Sequence, residues 1–90
     1  MVKEKTKKAE SPDETSDVLK DLILHNDDVH TFDFVIDALI KICKHTLEQA
    51  EQCSIIVHYK GKCAVKSGSL ILLKTYGNRL AKLGLTVTIE

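Results

Sequence analysis

The stretch TFDFVIDALIKIC, residues 31–43, decides the architecture of this chain. Thr31 is suited to cap the N-terminus of a helix, Asp33 would lie in the first turn, and Lys41 would lie near the last. Apolar residues follow at helical spacing: Phe32, Val35, Ile36, Leu39, Ile40 and Cys43. We therefore predict an amphipathic helix here, with its apolar face toward the core.

The segments on either side of this helix predict a strand and a second helix. Leu22-Ile23-Leu24 is a short apolar run followed by the turn-forming Asn26-Asp27-Asp28, which indicates a mostly buried strand. Thr46-Leu47-Glu48-Gln49 has the form of a capping box and predicts a helix that ends near Gly61. Its expected inner face consists of Leu47, Ala50, Cys53, Ser54 and Val57.

The C-terminal third predicts a strand, a helix and a strand. Residues 62–66 form a strand candidate, and Ser67-Gly68-Ser69 would open a third helix that Gly84 closes. The apolar residues of that helix are Leu70, Leu73, Leu80 and Leu83, and Gly77 inside it indicates close packing. Residues 85–90 alternate with period two. The order β-α-α-β-α-β predicts an α+β fold, a three-stranded antiparallel sheet with three helices on one face.

The composition limits what such a domain can do. The 90 residues are 43% hydrophobic and 4% aromatic, with 13 basic and 13 acidic residues and a net charge of zero. A chain of this length has room for one small site, and mixed charges with few aromatics argue against nucleic acid as a partner. We expect a soluble, cytoplasmic monomer that does not bind membranes, because no apolar run approaches the roughly 18 residues of a spanning helix.

Neither the cysteines nor the N-terminus shows the sequence pattern of a metal site or a disulfide framework. Three cysteines, Cys43, Cys53 and Cys63, form no Cys-x-x-Cys pair, which favours reduced thiols over a disulfide framework or a metal site. Residues 1–17 hold four lysines and five acidic residues but only three apolar ones. We predict that 1–17 is a disordered extension and that 18–90 is the folded domain.

Two polar features are candidates for function, and each has an alternative explanation. Asn26-Asp27-Asp28 clusters beside apolar surface, although such residues also form turns in which they bond their own backbone. His58 lies near the end of the second helix, where a histidine also complements the helix dipole. A ligand site requires the two segments to meet in space.

These features resemble the ClpS family, the adaptors of the Clp protease. The resemblance covers about residues 20–90 and is carried by LHNDD at 24–28, FVID-x-L at 34–39 and VHYKGK at 57–62. It implies the fold of the C-terminal domain of the ribosomal stalk protein, no enzymatic activity and no cofactor. It also implies an adaptor that binds N-degron substrates, through a free α-amine and a first residue Leu, Phe, Tyr or Trp. Such adaptors deliver their substrates to the N-terminal domain of ClpA or a related, ClpC-like AAA+ ATPase.

The resemblance assigns roles to particular residues. The α-amine-binding residues would be Asn26, Asp27, Asp28 and His58. The hydrophobic pocket would be formed by Leu24, His30, Phe32, Val35, Ser54, Val57 and Leu85. Many family members carry Met at the positions of Phe32 and Ser54, and Thr at that of His30. Docking to the ATPase would use Lys74, Thr75 and Tyr76, where the family often has Glu-Thr-Lys. The N-terminal extension would serve delivery rather than binding.

Two other functions remain open at this point. A stalk-type structural interaction domain would share the fold without recognising N-terminal residues. An enzyme would use Asp27 or Asp28 with His58, or a cysteine nucleophile, but no local motif supports an activated cysteine.

Overall fold

The structure, a computed structural model, describes residues 18–90, so the expectation for residues 1–17 lies outside it. The elements follow the predicted order: β1 Lys20–His25, α1 Phe32–Cys43, α2 Leu47–Lys60, β2 Lys62–Gly68, α3 Leu70–Lys82 and β3 Thr86–Ile89. The strands form one antiparallel sheet in the order β2-β1-β3, which confirms the predicted α+β fold. No helix in this range is long and apolar enough to cross a membrane.

The helix ends follow the cap residues in the sequence. Thr31 Oγ1 accepts a hydrogen bond from Phe34 N at 3.1 Å and starts α1. At α2, Gln49 N donates to Thr46 Oγ1 at 3.1 Å, and Thr46 N donates to Gln49 Oε1 at 2.9 Å, so the capping box is complete. Gly61 ends α2 at a φ of +91°, in the left-handed region that favours glycine.

The core lies between the helices and the sheet face that carries Leu22 and Leu24. These two side chains are 0% and 1% exposed, and they pack with Leu39 of α1 and Leu73 and Leu80 of α3. Fully burying a leucine contributes roughly 1.5–3 kcal/mol, so this cluster is the main source of stability. The prediction of close packing at Gly77 is confirmed, because a Cβ there would lie 3.3 Å from Leu22 Cδ1.

Three details differ from the sequence-based expectations. Leu47 was expected on the inner face of α2 but is 58% exposed, and Leu83, which follows α3, is 41% exposed. Both residues lie at helix ends. Periodicity predicts which way such a side chain points, but it does not show whether a neighbouring helix or strand is long enough to cover it. Ser67 and Gly68 pair with β1 and extend β2, so Ser69 alone caps α3.

The pairing of β1 with β2 contains an irregularity that the sequence did not predict. Leu22 faces Lys66 and Ile23 faces Ala64, so Val65 is skipped in the register. Val65 is 5% exposed and belongs to the core, and its carbonyl accepts a 2.7 Å hydrogen bond from His45 Nε2. The extra residue thus turns a valine inward and anchors the segment between α1 and α2.

Candidate functional site

One pocket lies where the end of β1, the start of α1 and the inner face of α2 meet. Its volume is about 270 Å³. The lining residues are Leu24, His25, Asn26, Asp27, His30, Thr31, Phe32, Val35, Ser54, Val57, His58 and Leu85. Asn26 N donates to Gly61 O at 2.9 Å, which holds the turn after β1 against the C-terminal end of α2. The two candidate segments therefore do meet in space.

The pocket has an apolar floor and a polar, exposed rim. Leu24, Val57 and Leu85 are between 1% and 5% exposed and form the floor. Asn26 and His58 are exposed at the rim, and Phe32 beside them is 43% exposed. A side chain that enters between the rim residues would leave water, while its polar end stays near the surface.

The rim offers hydrogen-bond acceptors that nothing in residues 18–90 occupies. Neither the side-chain amide of Asn26 nor the ring of His58 has a hydrogen-bond partner within this range. Aromatic edges hold the imidazole of His58: the centroid of Phe32 lies 6.2 Å away and that of Tyr59 5.0 Å away, each at an interplanar angle of 82°. The amide oxygen of Asn26 and a neutral ring nitrogen of His58 can both accept from a cationic donor.

Asp27 is committed to its own loop. Its Oδ1 accepts from Val29 N at 2.8 Å and from His30 N at 2.9 Å, and its Oδ2 lies 3.0 Å from His30 Nδ1. The hydrogen bond from the backbone N–H of His30 is the largest cause that lowers the pKa of the Asp27 carboxyl below its usual value. Asp27 therefore fits the alternative explanation, a turn residue that bonds its own backbone. Both of its carboxylate oxygens already have partners in the loop.

His30 is held on three sides. Opposite Asp27, its Nε2 lies 3.1 Å from the carbonyl oxygen of Leu83, and its ring stacks on Phe34 at 4.7 Å between centroids. Both ring nitrogens face acceptors, so the doubly protonated ring can donate to both and the neutral ring to only one. His30 was predicted as a wall of the hydrophobic pocket. The structure places it in the lining but in a polar network that ties the loop after β1 to the end of α3.

We expect acid to weaken this network through Asp27. Because the pKa of Asp27 is lowered by folding, its contribution to stability is present at neutral pH and is lost as the pH falls below about 4. Asp27→Asn should therefore lower the free energy of unfolding by about 1–2 kcal/mol at pH 7 and flatten its decline between pH 5 and pH 3. Urea denaturation at these pH values measures both effects.

Asp28→Asn is the matched control for that experiment, since Asp28 is the exposed neighbour and does not line the pocket. It should leave the unfolding free energy at pH 7 within experimental error of that of the parent chain. An Asp27→Asn variant that follows the pH profile of the parent would contradict the assignment.

The other predicted site residues are distributed as follows. All seven members of the expected hydrophobic pocket line the cavity, as do three of the four expected amine-binding residues; Asp28 is the exception. Lys74 and Thr75 are exposed on α3, while the ring of Tyr76 packs partly against the core with Lys66 Nζ 5.0 Å from its centroid. None of these three residues lines the pocket, so they belong to a separate surface.

Sequence reasoning missed His25 and Thr31 as lining residues. His25 ends β1 with its Nε2 2.8 Å from Thr88 Oγ1 of β3, and Thr31 is the cap of α1. The motif at 24–28 contains His25, but its position on the strand gave no reason to turn it toward the pocket. Thr31 was already explained by its capping role.

Two of the three cysteines, Cys43 and Cys53, lack the properties of a nucleophile. Burial raises the pKa of Cys43 to about 11 and that of Cys53 to about 12, so both are thiols at neutral pH. Within residues 18–90 no cluster of three or more His, Cys, Asp or Glu residues is arranged to hold a metal ion.

Comparison with known proteins identifies one family. The family model for ClpS, described as the ATP-dependent Clp protease adaptor protein ClpS, matches residues 17–88. ATP-dependent Clp protease adapter protein ClpS of Serratia proteamaculans is 39% identical over 64 residues, which cover 68% of this chain and 60% of that protein. The protein of that name from Campylobacter jejuni is 40% identical over 55 residues, which cover 59% and 57%. The chain thus spans about 60% of the length of these relatives.

A solved structure shows the same fold. The structure of Agrobacterium tumefaciens ClpS2 bound to L-phenylalaninamide matches with a TM-score of 0.76 at 22% sequence identity. The match covers 80% of this chain and 94% of that one. At this level of identity the likeness establishes the arrangement of helices and strands.

Proposed function

This chain belongs to the ClpS family of Clp protease adaptor proteins, a family of adaptors and not of enzymes, and on that premise we propose that its pocket binds N-degrons. The ligand is the first residue of a substrate protein, with a free α-amine and a bulky hydrophobic side chain. The observation that carries the proposal is the pairing of unoccupied acceptors at the rim with an apolar floor in one pocket.

The rim suits an α-ammonium group. Such a group is a compact cation with three N–H donors, and several converging acceptors distinguish it from an internal backbone amide. Asn26 and His58 supply two acceptors, and Asp28, exposed in the same turn, supplies negative charge directly or through water. Asp27 supports the loop from behind.

The floor suits a single side chain. A cavity of about 270 Å³ is at the small end of the range for ligand pockets, which fits one amino-acid residue and excludes a large cofactor. Burying a Leu or Phe side chain contributes roughly 2–3 kcal/mol, and each charge-assisted hydrogen bond about 1.5–3 kcal/mol. After the costs of association, the sum corresponds to micromolar affinity or tighter. ClpS2, which has the same fold, binds L-phenylalaninamide, a ligand that carries an α-amine and a benzyl side chain.

A fluorescence anisotropy titration tests this function. Peptides that begin with Leu, Phe, Tyr or Trp should bind with micromolar or lower Kd, and a matched peptide that begins with Gly should bind much more weakly. Equal affinity for the Gly peptide would exclude recognition of the first side chain.

Delivery to a Clp ATPase is the second part of the proposal. Lys74 and Thr75 present a docking surface that carries a cation where the family often carries Glu, and Tyr76 replaces a family Lys. This surface fits an N-terminal domain of a ClpA-related or ClpC-like ATPase whose charges complement Lys74. The proposed partners are therefore that ATPase and N-degron substrates.

Removing residues 1–17 separates delivery from binding. We expect the shortened chain to bind the Leu peptide within about twofold of the full chain, because the pocket-lining residues named above all lie in 18–90. Degradation of a substrate with N-terminal Leu by the cognate Clp protease should be lost. Unchanged degradation would show that the extension is dispensable, and lost peptide binding would place it in the site.

A further inference from the structure

One buried residue of the pocket lining, Ser54, carries a polar side-chain atom without a partner in the described part of the chain. Ser54 is 3% exposed, and its Oγ is fully buried with no hydrogen-bond partner in residues 18–90. In that range only one other buried side-chain polar atom shares this state, His45 Nδ1, which lies outside the pocket. A helical serine commonly satisfies its hydroxyl on the carbonyl one turn earlier, which here belongs to Ala50, but no such bond is present. A buried hydroxyl without a hydrogen bond lowers the stability of the folded protein, and a ligand that bonds it would remove that penalty.

The surroundings of Ser54 define where that partner would come from. Ser54 lies on the inner face of α2 one turn before His58 and beside Val57. Together with Leu24 and Leu85 it is among the most deeply buried residues of the lining, whereas Asn26, His58 and Phe32 stand at the rim. A ligand whose α-amine is held at the rim therefore directs the far end of its side chain toward the deep part of the lining, where Ser54 lies.

We propose that Ser54 makes this pocket selective for an N-terminal tyrosine over phenylalanine, an inference that rests on the proposed function. The phenol of tyrosine carries its hydroxyl at the far end of an otherwise apolar ring, which matches a polar point on an apolar floor. Both hydroxyls donate and accept, so either rotor of Ser54 finds a partner. Phenylalanine fills the same space but leaves the Ser54 hydroxyl unpaired.

The test compares peptides identical except for Tyr or Phe at the first position, titrated by anisotropy against the full chain and its Ser54→Ala variant. The full chain should bind the Tyr peptide about five- to tenfold more tightly, the usual worth of one buried hydrogen bond. Ser54→Ala should remove this preference or reverse it, because the tyrosine hydroxyl then loses its partner. Ser67→Ala is the matched control: Ser67 lies in β2 outside the pocket, and its loss should leave the Tyr-to-Phe ratio unchanged.

A third peptide tests the same hydrogen bond on the full chain, without relying on the Ser54→Ala variant. A peptide that begins with O-methyltyrosine cannot donate from its ring oxygen and carries an extra methyl group into the floor, so it should bind the full chain less tightly than the Tyr peptide. Equal affinity of the full chain for Tyr and Phe peptides, or an unchanged ratio in a folded Ser54→Ala variant, would overturn the selectivity.

The outcomes also separate this inference from the proposed function. Tyr and Phe peptides that bind only with a free amine, but with equal affinity, overturn the role of Ser54 and leave N-degron binding standing. Peptides that fail to bind, or that bind equally when acetylated, overturn both.

Discussion

A peptide that begins with Leu is expected to lose at least 100-fold in affinity when its α-amine is acetylated. Acetylation removes the positive charge, leaves a single N–H donor and places a carbonyl and a methyl group between Asn26 and His58. The loss of two charge-assisted hydrogen bonds, at about 1.5–3 kcal/mol each, corresponds to a factor of 100 or more. Anisotropy titrations with the free and acetylated forms of one peptide measure the ratio directly.

Variants of the rim residues test whether the loss of affinity on acetylation arises at Asn26 and His58. Asn26→Ala and His58→Ala should each weaken binding of the free-amine peptide by about tenfold and bring it closer to the acetylated one. Asn78→Ala is the matched control for Asn26→Ala, because Asn78 is exposed on α3 and absent from the lining. Binding that ignores both acetylation and these variants would instead favour a stalk-type interaction domain without recognition of N-terminal residues.

The elements were predictable from the sequence because their signals are local. Thr31 and Thr46 each bond a backbone N–H three residues ahead, and Gly61 and Gly84 supply the left-handed residue that ends a helix. The residue skipped at Val65 was not predictable, because it depends on how β2 pairs with β1 and on where the core needs a valine. The exposure of Leu47 depends likewise on the extent of the neighbouring elements.

In the candidate site, too, some features were predictable from the sequence and others were not. The residues of the pocket were inferred from a family resemblance, and the turn around Asp27 follows from the tendency of Asp to bond backbone N–H groups nearby. The partner of His30 Nε2 could not be inferred, because Leu83 lies 53 residues away along the chain. The unpaired hydroxyl of Ser54 has no sequence signal either, since periodicity places a serine on the inner face without saying what it bonds.

Gly84 connects the backbone of α3 to this pocket. It adopts a φ of +87° after the helix, where Gly84 N donates to Ala81 O at 2.9 Å and Leu85 N to Leu80 O at 3.3 Å. A Cβ at this position would lie 3.2 Å from His30 Nε2. Such a contact is tolerable only if the neighbour can move, and His30 is held by Asp27, Leu83 and Phe34.

Gly84→Ala is therefore expected to cost about 2–4 kcal/mol in the free energy of unfolding. The left-handed backbone contributes about 1–2 kcal/mol, and displacement of His30 adds the loss of at least one hydrogen bond. Gly61→Ala is the matched control, because its φ is +91° and nothing lies within 4 Å of the added Cβ. In urea denaturation, Gly61→Ala should lower the free energy of unfolding only by the contribution of the left-handed backbone, about 1–2 kcal/mol.

Removing His30 isolates the contact. In a His30→Ala background, Gly84→Ala and Gly61→Ala should lower the free energy of unfolding by nearly the same amount, since only the strain of the left-handed backbone then remains in both. The folded Gly84→Ala variant should also bind the peptide more weakly, because a displaced His30 changes the shape of the pocket that it lines. If the extra cost of Gly84→Ala persists without His30, the strain lies in the turn itself, and the link between the end of α3 and the pocket wall is refuted.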